Sequence, residues 1–442
     1  MTDNSQFGIG RTALFHTFGC KLNFAETSTV AAMFAAEGII RVPEGETPDF
    51  VVVNTCSVTD IADKKCRQAI RGFARRYPSA RIIVTGCYAQ LKPEEVADLP
   101  GVAIVAGNDR KLALLEYVKS LSEEEHETEV HFTPTPEIES FSPSCSRGDR
   151  TRYFLKVQDG CDYRCSYCTI PKARGRSRSG SIDDIVAQAR EVAAQGGREI
   201  VITGVNIGDF GKGTDRRFID LCRELDKVDG IERYRISSIE PNLLTDELIE
   251  FTAGSRSFMP HFHVPLQNGS DEVLRLMRRR YNTALFRSKM ERIRVAMPDA
   301  FIGVDLIVGA RGETPELFEE SKRFVESLDI SRLHVFTYSE RPGTDALSIP
   351  HIVSQEEKHH RTREMIAVSD AKLREFTRRY TGTVRPALIE HPGRDGSMSA
   401  FTDNYLRIHL REPAPELAGR IVPVRILEMI PGEEANTGEI AL

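Results

Sequence analysis

The chain has 442 residues, of which 28% are charged and 40% hydrophobic, enough for about three domains of ordinary globular composition. Its net charge of −6 excludes a global basic field, so any nucleic-acid surface must be local. No stretch approaches the ~20 apolar residues of a membrane span, and residues 1–10 lack the apolar run of a secretory signal, so a cytoplasmic protein with no membrane contact is expected. Nine cysteines in such a chain point to metal or redox chemistry rather than to a disulfide framework.

Residues 1–121 alternate strands and helices. RTALFHTF, DFVVVNT, RIIVTG and VAIVAG read as short buried strands, with helices near 22–37, 60–77 and 110–121. That pattern predicts an open parallel sheet covered on both faces. Cys20, Cys56 and Cys87 each follow one of the first three strands. In an open parallel sheet, sites form beyond the carboxyl ends of the strands, so these three thiols should converge. Three convergent cysteines can hold an iron–sulfur cubane with one open iron; the plain alternative is three small buried residues. Cys66, Cys145 and Cys222 lack this placement and read as packing or incidental thiols.

Residues 122–150 are charged and then rich in Pro and Ser, the composition of a linker. From 151 to 380 six strands are predicted: YFLKVQ, REIVITG, RYRISSI, HFHVPL, AFIGVDLIV and RLHVFTYS. Helices near 182–196, 216–227, 244–255, 284–296, 315–327 and 354–379 separate or follow them. Six such units make a partial (βα)6 barrel, with its reactive groups at the C-terminal strand ends. Cys161, Cys165 and Cys168 stand directly after the first strand, in GCDYRCSYC. Three thiolates at this spacing, with no fourth cysteine nearby, leave one iron of a cubane open to a small molecule. A zinc knuckle is the alternative, but it needs a fourth ligand close by, and none follows. Residues 381–442 have strand composition broken by Gly, Pro and Asp-Asn, and predict a small antiparallel β-barrel.

The Cys161–Cys168 segment, with Tyr167 before its last cysteine, resembles the radical S-adenosylmethionine enzymes. The wider set of motifs resembles one family of them, the methylthiotransferases. It runs through FGCKLN, NTCSVTDIADKK, TGCYAQ, GCDYRCSYCTIPKARGRSRS, ITGVNIGDFG, ISSIEP, HVPLQNGSDEVLRLMRRRY, GVDLIVG and YSERPGTDA, in the family's order. The C-terminal segment looks like that family's RNA-binding TRAM barrel. Lys21 and Leu22 after Cys20 look most like the MtaB-type branch, which acts on N6-threonylcarbamoyladenosine next to the tRNA anticodon.

The resemblance implies two [4Fe-4S] clusters, on Cys20, Cys56 and Cys87 and on Cys161, Cys165 and Cys168, with S-adenosyl-L-methionine as the second cofactor. It implies that the barrel cluster splits that cofactor to a 5′-deoxyadenosyl radical, which takes hydrogen from carbon 2 of adenine. The first-domain cluster then delivers the sulfur. Tyr167, Gly204, Val205, Asn206, Ser238, Glu240, Gln267 and Asp305 stand where the family's cofactor contacts lie. A polar residue at a barrel rim can instead satisfy backbone groups. The partners implied are tRNA and a flavodoxin- or ferredoxin-like electron donor. Lys64, Lys65, Arg67, Arg71, Arg75, Arg76 and Arg81 form one basic strip, and residues 147–178 carry a net +6. In the C-terminal barrel, Arg385, Arg407, Arg425, Phe401 and Tyr405 are RNA candidates.

One departure stands out: GARGET replaces the family's GFPGET, placing Ala310 and Arg311 where Phe-Pro is usual. A solvated loop arginine is expected there. Two other readings stay open. One is the same chemistry on another modified adenosine or a ribosomal protein. The other is a non-catalytic iron–sulfur protein that binds RNA.

Overall fold

The computed structural model describes residues 7–121, 127–148 and 150–441. Part of the predicted linker, residues 122–126 and 149, lies outside them, as do residues 1–6. The chain divides into two compact units. The first takes in Met1–Asp149, Phe154–Arg164 and Cys168–Gly180; the second takes in Arg150–Tyr153, Cys165–Tyr167 and Ser181–Leu442.

The first unit is built on a six-stranded sheet. Its spatial order is Ile40–Arg41, Thr12–Thr17, Phe50–Thr55, Arg81–Gly86, Val102–Ala106 and Glu129–His131, and every neighbouring pair is parallel. The central strand Phe50–Thr55 is buried along its whole length, which is why FVVVNT reads as a continuous apolar run rather than an alternating one. Its side chains divide between two cores. Val51 and Val53 pack with Cys66, Ile70 and Phe73 of the helix Asp60–Arg76. Phe50 and Val52 pack with Val30 and Phe34 of the helix Lys21–Ala36. The Asp60–Arg76 helix starts at Thr59, whose hydroxyl accepts the Ala62 N–H at 3.1 Å. Asp60 and Asp63 in its first turn and Arg75 and Arg76 in its last suit the helix dipole.

The segment read as a linker contains two strands. Glu129–His131 adds to the edge of the sheet, and Ser144–Cys145 pairs antiparallel with Leu155 and Lys156. Pro and Ser mark its turns but do not keep it off the core.

In the second unit the strands Glu199–Thr203 and Arg233–Ile236 pair parallel. His261–Gln267, Phe301–Val308 and Arg332–Thr337 form a second parallel set, and an isolated Ser238–His263 bridge links the two. These are five of the six strands predicted for residues 151–380; the remaining one, Arg152–Lys156, is divided between the units, with Phe154–Lys156 in the first. The helices Ile182–Ala194, Asp246–Gly254, Thr283–Ala296, Pro315–Glu326 and Gln355–Arg378 follow them. Each of these five starts on a Ser, Thr or Asn whose side chain accepts a backbone N–H of the first turn.

The last 59 residues, 384–442, hold a closed five-stranded barrel in the order Val384–Ile389, Ser399–Thr402, Arg407–Leu410, Asn436–Ile440 and Ile421–Met429. Four neighbour pairs are antiparallel, and Arg407–Leu410 runs parallel to Asn436–Ile440. Alternating directions cannot close a ring of odd number, so one parallel pair is unavoidable. The barrel is fixed to its own unit by buried arginines. Arg233 donates to Phe401 O at 3.0 Å and to Pro386 O at 2.8 Å. Arg235 donates to Thr402 O at 2.7 Å and Asp403 O at 2.8 Å, while Glu199 pairs with its Nε at 2.7 Å.

Candidate iron–sulfur and cofactor sites

In the first unit Cys20 caps the helix Lys21–Ala36, Cys56 follows the strand Phe50–Thr55, and Cys87 opens the helix Cys87–Leu91. Two glycines clear the space around them. A Cβ on Gly19, at φ 100°, would lie 2.9 Å from Cys56 Cβ and 3.1 Å from its Sγ. One on Gly86, at φ 101°, would lie 2.4 Å from Thr55 O. Both positions need glycine for conformation and for room. Burial pushes the Cys56 thiol up to about 11, and the neighbouring Cys87 and Cys20 push in the same direction. A thiol that burial and two neighbouring thiols both hold up sits at a site short of positive charge, which is what a cluster supplies. Among the described residues no three of His, Cys, Asp and Glu are arranged to hold a single metal ion. A cubane takes each thiolate on a different iron, so its ligands need not crowd one point. The donor set and the glycine-cleared space fit that group.

The loops bearing these cysteines are tied down by residues that sequence reasoning missed. Asn23 donates to Phe18 O at 2.7 Å and Thr55 O at 3.1 Å. Asn108 donates to Ala173 O at 2.8 Å and reaches Cys87 Sγ at 3.9 Å. Behind them lies a buried ion network. Arg174 donates to Asn23 Oδ1 at 2.6 Å and to Glu26 and Asp159 at 3.0 Å. Lys156 joins Glu26 at 2.9 Å and Asp159 at 2.7 Å, and Lys111 pairs with Glu26. None of these five charged side chains is more than 3% exposed. Removing one partner from such a network strands the others, at about 3–5 kcal/mol.

Burial alone would push the Glu26 carboxyl up, but Arg174, Lys111 and Lys156 outweigh it and hold Glu26 well below the usual carboxylate range. A depressed carboxyl stabilises the fold above its unfolded value, near ~4.3, and loses that contribution as pH falls toward its folded value. Glu26→Gln is therefore expected to lower the melting temperature sharply at pH 7. The gap to the native protein should shrink below about pH 4, where the unfolded carboxyl is also protonated. A gap that stays constant from pH 7 to pH 3 contradicts this account.

In the Cys161–Cys168 loop, the Tyr163 N–H points to Cys161 Sγ and the Ile170 N–H to Cys168 Sγ, both at 3.4 Å. Gly160, at φ 69°, lets the chain pass the Arg176 carbonyl, which an added Cβ would meet at 2.0 Å. Within the second unit, Ser166 is fixed to Met277 O at 3.1 Å and Leu276 O at 2.9 Å. Cys165 Sγ accepts from Arg279 at 3.0 Å. Tyr167 packs against Val273, Met277, Ala310, Tyr338 and Ala346. Amide donors aimed at thiol sulfurs suit thiolate ligands, so this loop also fits a cluster.

Most of the predicted cofactor contacts lie at or just past strand ends of the second unit. Gly204 and Val205 follow the strand Glu199–Thr203, and Asn206, buried, donates to Asp209 at 3.1 Å. Ser238 bridges to His263, whose Nε2 is 2.6 Å from Asp305. Asp305 lies inside its strand, three residues before the end. Burial raises the Glu240 carboxyl; Arg279 opposes this, and Asp209 and Asp305 lie close enough to add to it. Asn206, Ser238, Glu240 and Asp305 thus come together through Asp209 and His263. Gln267 takes φ 66° where the strand register shifts, a left-handed conformation costly for a side chain. Tyr281 holds the adjacent carbonyls of Pro265 and Leu266 at 2.6 and 2.9 Å.

Several expectations change. Arg311 is partly exposed but not a free loop side chain: it pairs with Glu340 at 2.6 Å and donates to Leu347 O at 2.7 Å, joining two loops. Of the RNA candidates, Arg385 is paired with Asp403 and Asp299. The Arg152 guanidinium covers the Phe401 ring at 3.9 Å, and Tyr405 packs on His261 at 4.1 Å. Neither ring is an open stacking platform. Arg407 stays exposed, and so do Lys64, Lys65, Arg71, Arg75 and Arg76 along one helix. Cys66, Cys145 and Cys222 are buried, as packing thiols would be. No described helix is long and apolar enough to cross a membrane.

Residues 12–107 match a family model described as "Uncharacterized protein family UPF0004", and residues 155–325 match the radical SAM superfamily. The threonylcarbamoyladenosine tRNA methylthiotransferase MtaB of Bacillus subtilis is 37% identical over 97% of this chain and 96% of its own length. Its counterpart from Thermotoga maritima is 35% identical over 90% and 91%. The tRNA-2-methylthio-N(6)-dimethylallyladenosine synthase of Syntrophotalea carbinolica is 32% identical over 93% and 95%. Among solved structures, the radical S-adenosylmethionine methyltransferase TsrM from Kitasatospora setae superposes with a TM-score of 0.57 at 16% identity. It covers 74% of this chain and 73% of its own, a likeness of fold. Identity at this level over nearly the full length of several relatives, with the radical SAM match over residues 155–325, places this chain in the radical S-adenosylmethionine methylthiotransferase family.

Proposed function

We propose that this chain is a tRNA methylthiotransferase that inserts a methylthio group at carbon 2 of N6-threonylcarbamoyladenosine next to the anticodon. The observation that carries the reading is the pair of cysteine triplets, one at three strand ends and one in the loop after the first barrel strand. Lys21 and Leu22 after Cys20, and relatives of 34–37% identity named for that nucleoside, support the substrate.

In this reading Cys20, Cys56 and Cys87 hold one [4Fe-4S] cluster and Cys161, Cys165 and Cys168 the other. When bound, the clusters and S-adenosyl-L-methionine supply reductive cofactor cleavage and sulfur delivery. The protein binds, orients and shields. Tyr167, Gly204, Val205, Asn206, Ser238, Glu240, Gln267 and Asp305 are assigned to the cofactor's polar groups. The acidic cluster of Glu240, Asp209 and Asp305 suits an ammonium or ribose hydroxyls. Residues 1–121 then form the auxiliary-cluster domain, 122–150 its connection, 151–380 the radical core and 381–442 the RNA-binding barrel. A flavodoxin- or ferredoxin-like electron donor and a cytoplasmic setting go with this assignment.

The test is anaerobic reconstitution with iron and sulfide, followed by incubation with S-adenosylmethionine, a strong reductant and tRNA bearing the threonylcarbamoyl group. Mass spectrometry of the digested tRNA should find the 2-methylthio nucleoside. Cofactor cleavage without that product would overturn the substrate; no cleavage at all would favour a pure RNA binder.

A further inference from the structure

Arg279 lies just beyond the helix Asp271–Leu276, yet its side chain is 3% exposed. Every nitrogen of its guanidinium has a partner. Nη1 donates to Cys165 Sγ at 3.0 Å and to the Tyr167 hydroxyl at 3.5 Å. Nη2 pairs with Glu240, and Nε donates to the Tyr281 hydroxyl at 3.2 Å. The planar fork is rigid, so placing the sulfur and the carboxylate on its two ends fixes one against the other. The backbone accepts strain nearby: Arg278 takes φ 57°, a left-handed conformation unfavourable for a side chain. The Arg279 N–H then bonds Leu274 O at 2.9 Å, closing the turn.

We propose that Arg279 is a positioning residue for the cluster on Cys161, Cys165 and Cys168, setting its reduction potential and holding Glu240 at the cofactor pocket. This rests on the proposed function only for the presence of that cluster. Reduction adds a negative charge shared with the thiolates. A donated hydrogen bond and a positive charge against the Cys165 sulfur favour that reduced form. Glu240, on the far side of the guanidinium, works against it. Removing the two groups should therefore move the potential in opposite directions, which a purely structural role would not do.

The experiment uses the full chain with Cys20→Ala, Cys56→Ala and Cys87→Ala, so that the remaining cluster is the one observed. Its midpoint is measured by redox titration with electron paramagnetic resonance, without S-adenosylmethionine. Arg279→Gln should leave the cluster at least about tenfold less reduced at the parent's midpoint, a downward shift of about 59 mV for one electron. Glu240→Gln should shift it upward, and Arg279→Lys, which keeps the charge but loses the fork, should fall between parent and Arg279→Gln. A parent that binds no iron overturns the cluster assignment and this inference with it. A normal cluster whose midpoint is unmoved in the variants, or moves the same way in both Gln variants, overturns the role of Arg279 alone. Should Arg279→Gln fail to hold a cluster, Arg279→Lys and Glu240→Gln still decide: opposite shifts support the proposal and unmoved midpoints refute it.

Discussion

Replacing Cys161, Cys165 and Cys168 together with alanine is expected to remove about half of the reconstituted iron and to abolish 5′-deoxyadenosine formation, because in the proposed assignment each thiolate ligates a separate iron. Replacing Cys20, Cys56 and Cys87 should remove the other half while leaving some cofactor cleavage. The two sets differ in their surroundings, and that sharpens the comparison. The first set receives amide donors from Tyr163 and Ile170 and a guanidinium from Arg279. The second is framed by Gly19 and Gly86 and braced by Asn23 and Asn108. Cys66, Cys145 and Cys222 are buried packing thiols, so replacing them with alanine should leave the iron content unchanged. Iron and sulfide analysis, with chromatographic quantitation of 5′-deoxyadenosine, gives the answer. Full iron content in either triple variant would falsify that ligand assignment.

Much of this architecture is legible in the sequence because it is local. The strands RIIVTG and DFVVVNT are uninterrupted apolar runs, and their ends place Cys56 and Cys87. The helices of the second unit carry caps such as Ser181, Thr245 and Ser354 that mark their starts. What is not legible depends on partners far along the chain. Glu26 reads as an ordinary polar position on a helix, and only Lys111, Lys156 and Arg174, the last 148 residues away, make it a buried charge. Arg279 sits in a run of three arginines, and nothing local separates it from Arg278, which is exposed. Phe401 and Tyr405 look like stacking residues by type, but Arg152 and His261 cover them. The same long-range logic bears on the C-terminal barrel. Removing it would strip Arg233 and Arg235 of four carbonyl partners. Loss of tRNA binding in such a truncation would then report a damaged core, and substitution of the exposed Arg407 is the cleaner probe.

The tRNA carrying the threonylcarbamoyl group is expected to be methylthiolated at least about tenfold more efficiently than the same transcript without it. The modification adds a carboxylate to the adenine. A site that reads it should use a fixed cation, and a lost charge-assisted hydrogen bond costs on the order of 1.5–3 kcal/mol, roughly ten- to a hundredfold in binding. Arg311, at the departure from the family pattern, is already engaged, since Glu340 takes its Nε and the carbonyls of Leu347 and Ile349 take its Nη1. Arg279 is likewise committed to Cys165 and Glu240. Lys21 follows a proposed cluster ligand, so its side chain is not an independent choice. The discrimination should therefore appear in KM rather than in cofactor cleavage, which the bare transcript leaves intact. A third transcript, carrying dimethylallyladenosine, separates this branch from relatives of 32% identity named for that nucleoside. It offers an apolar group where a carboxylate is expected, and should be a poor substrate. Equal methylthiolation of the threonylcarbamoyl and bare transcripts would sink the substrate assignment. Preference for the dimethylallyl transcript would move this chain to the other branch.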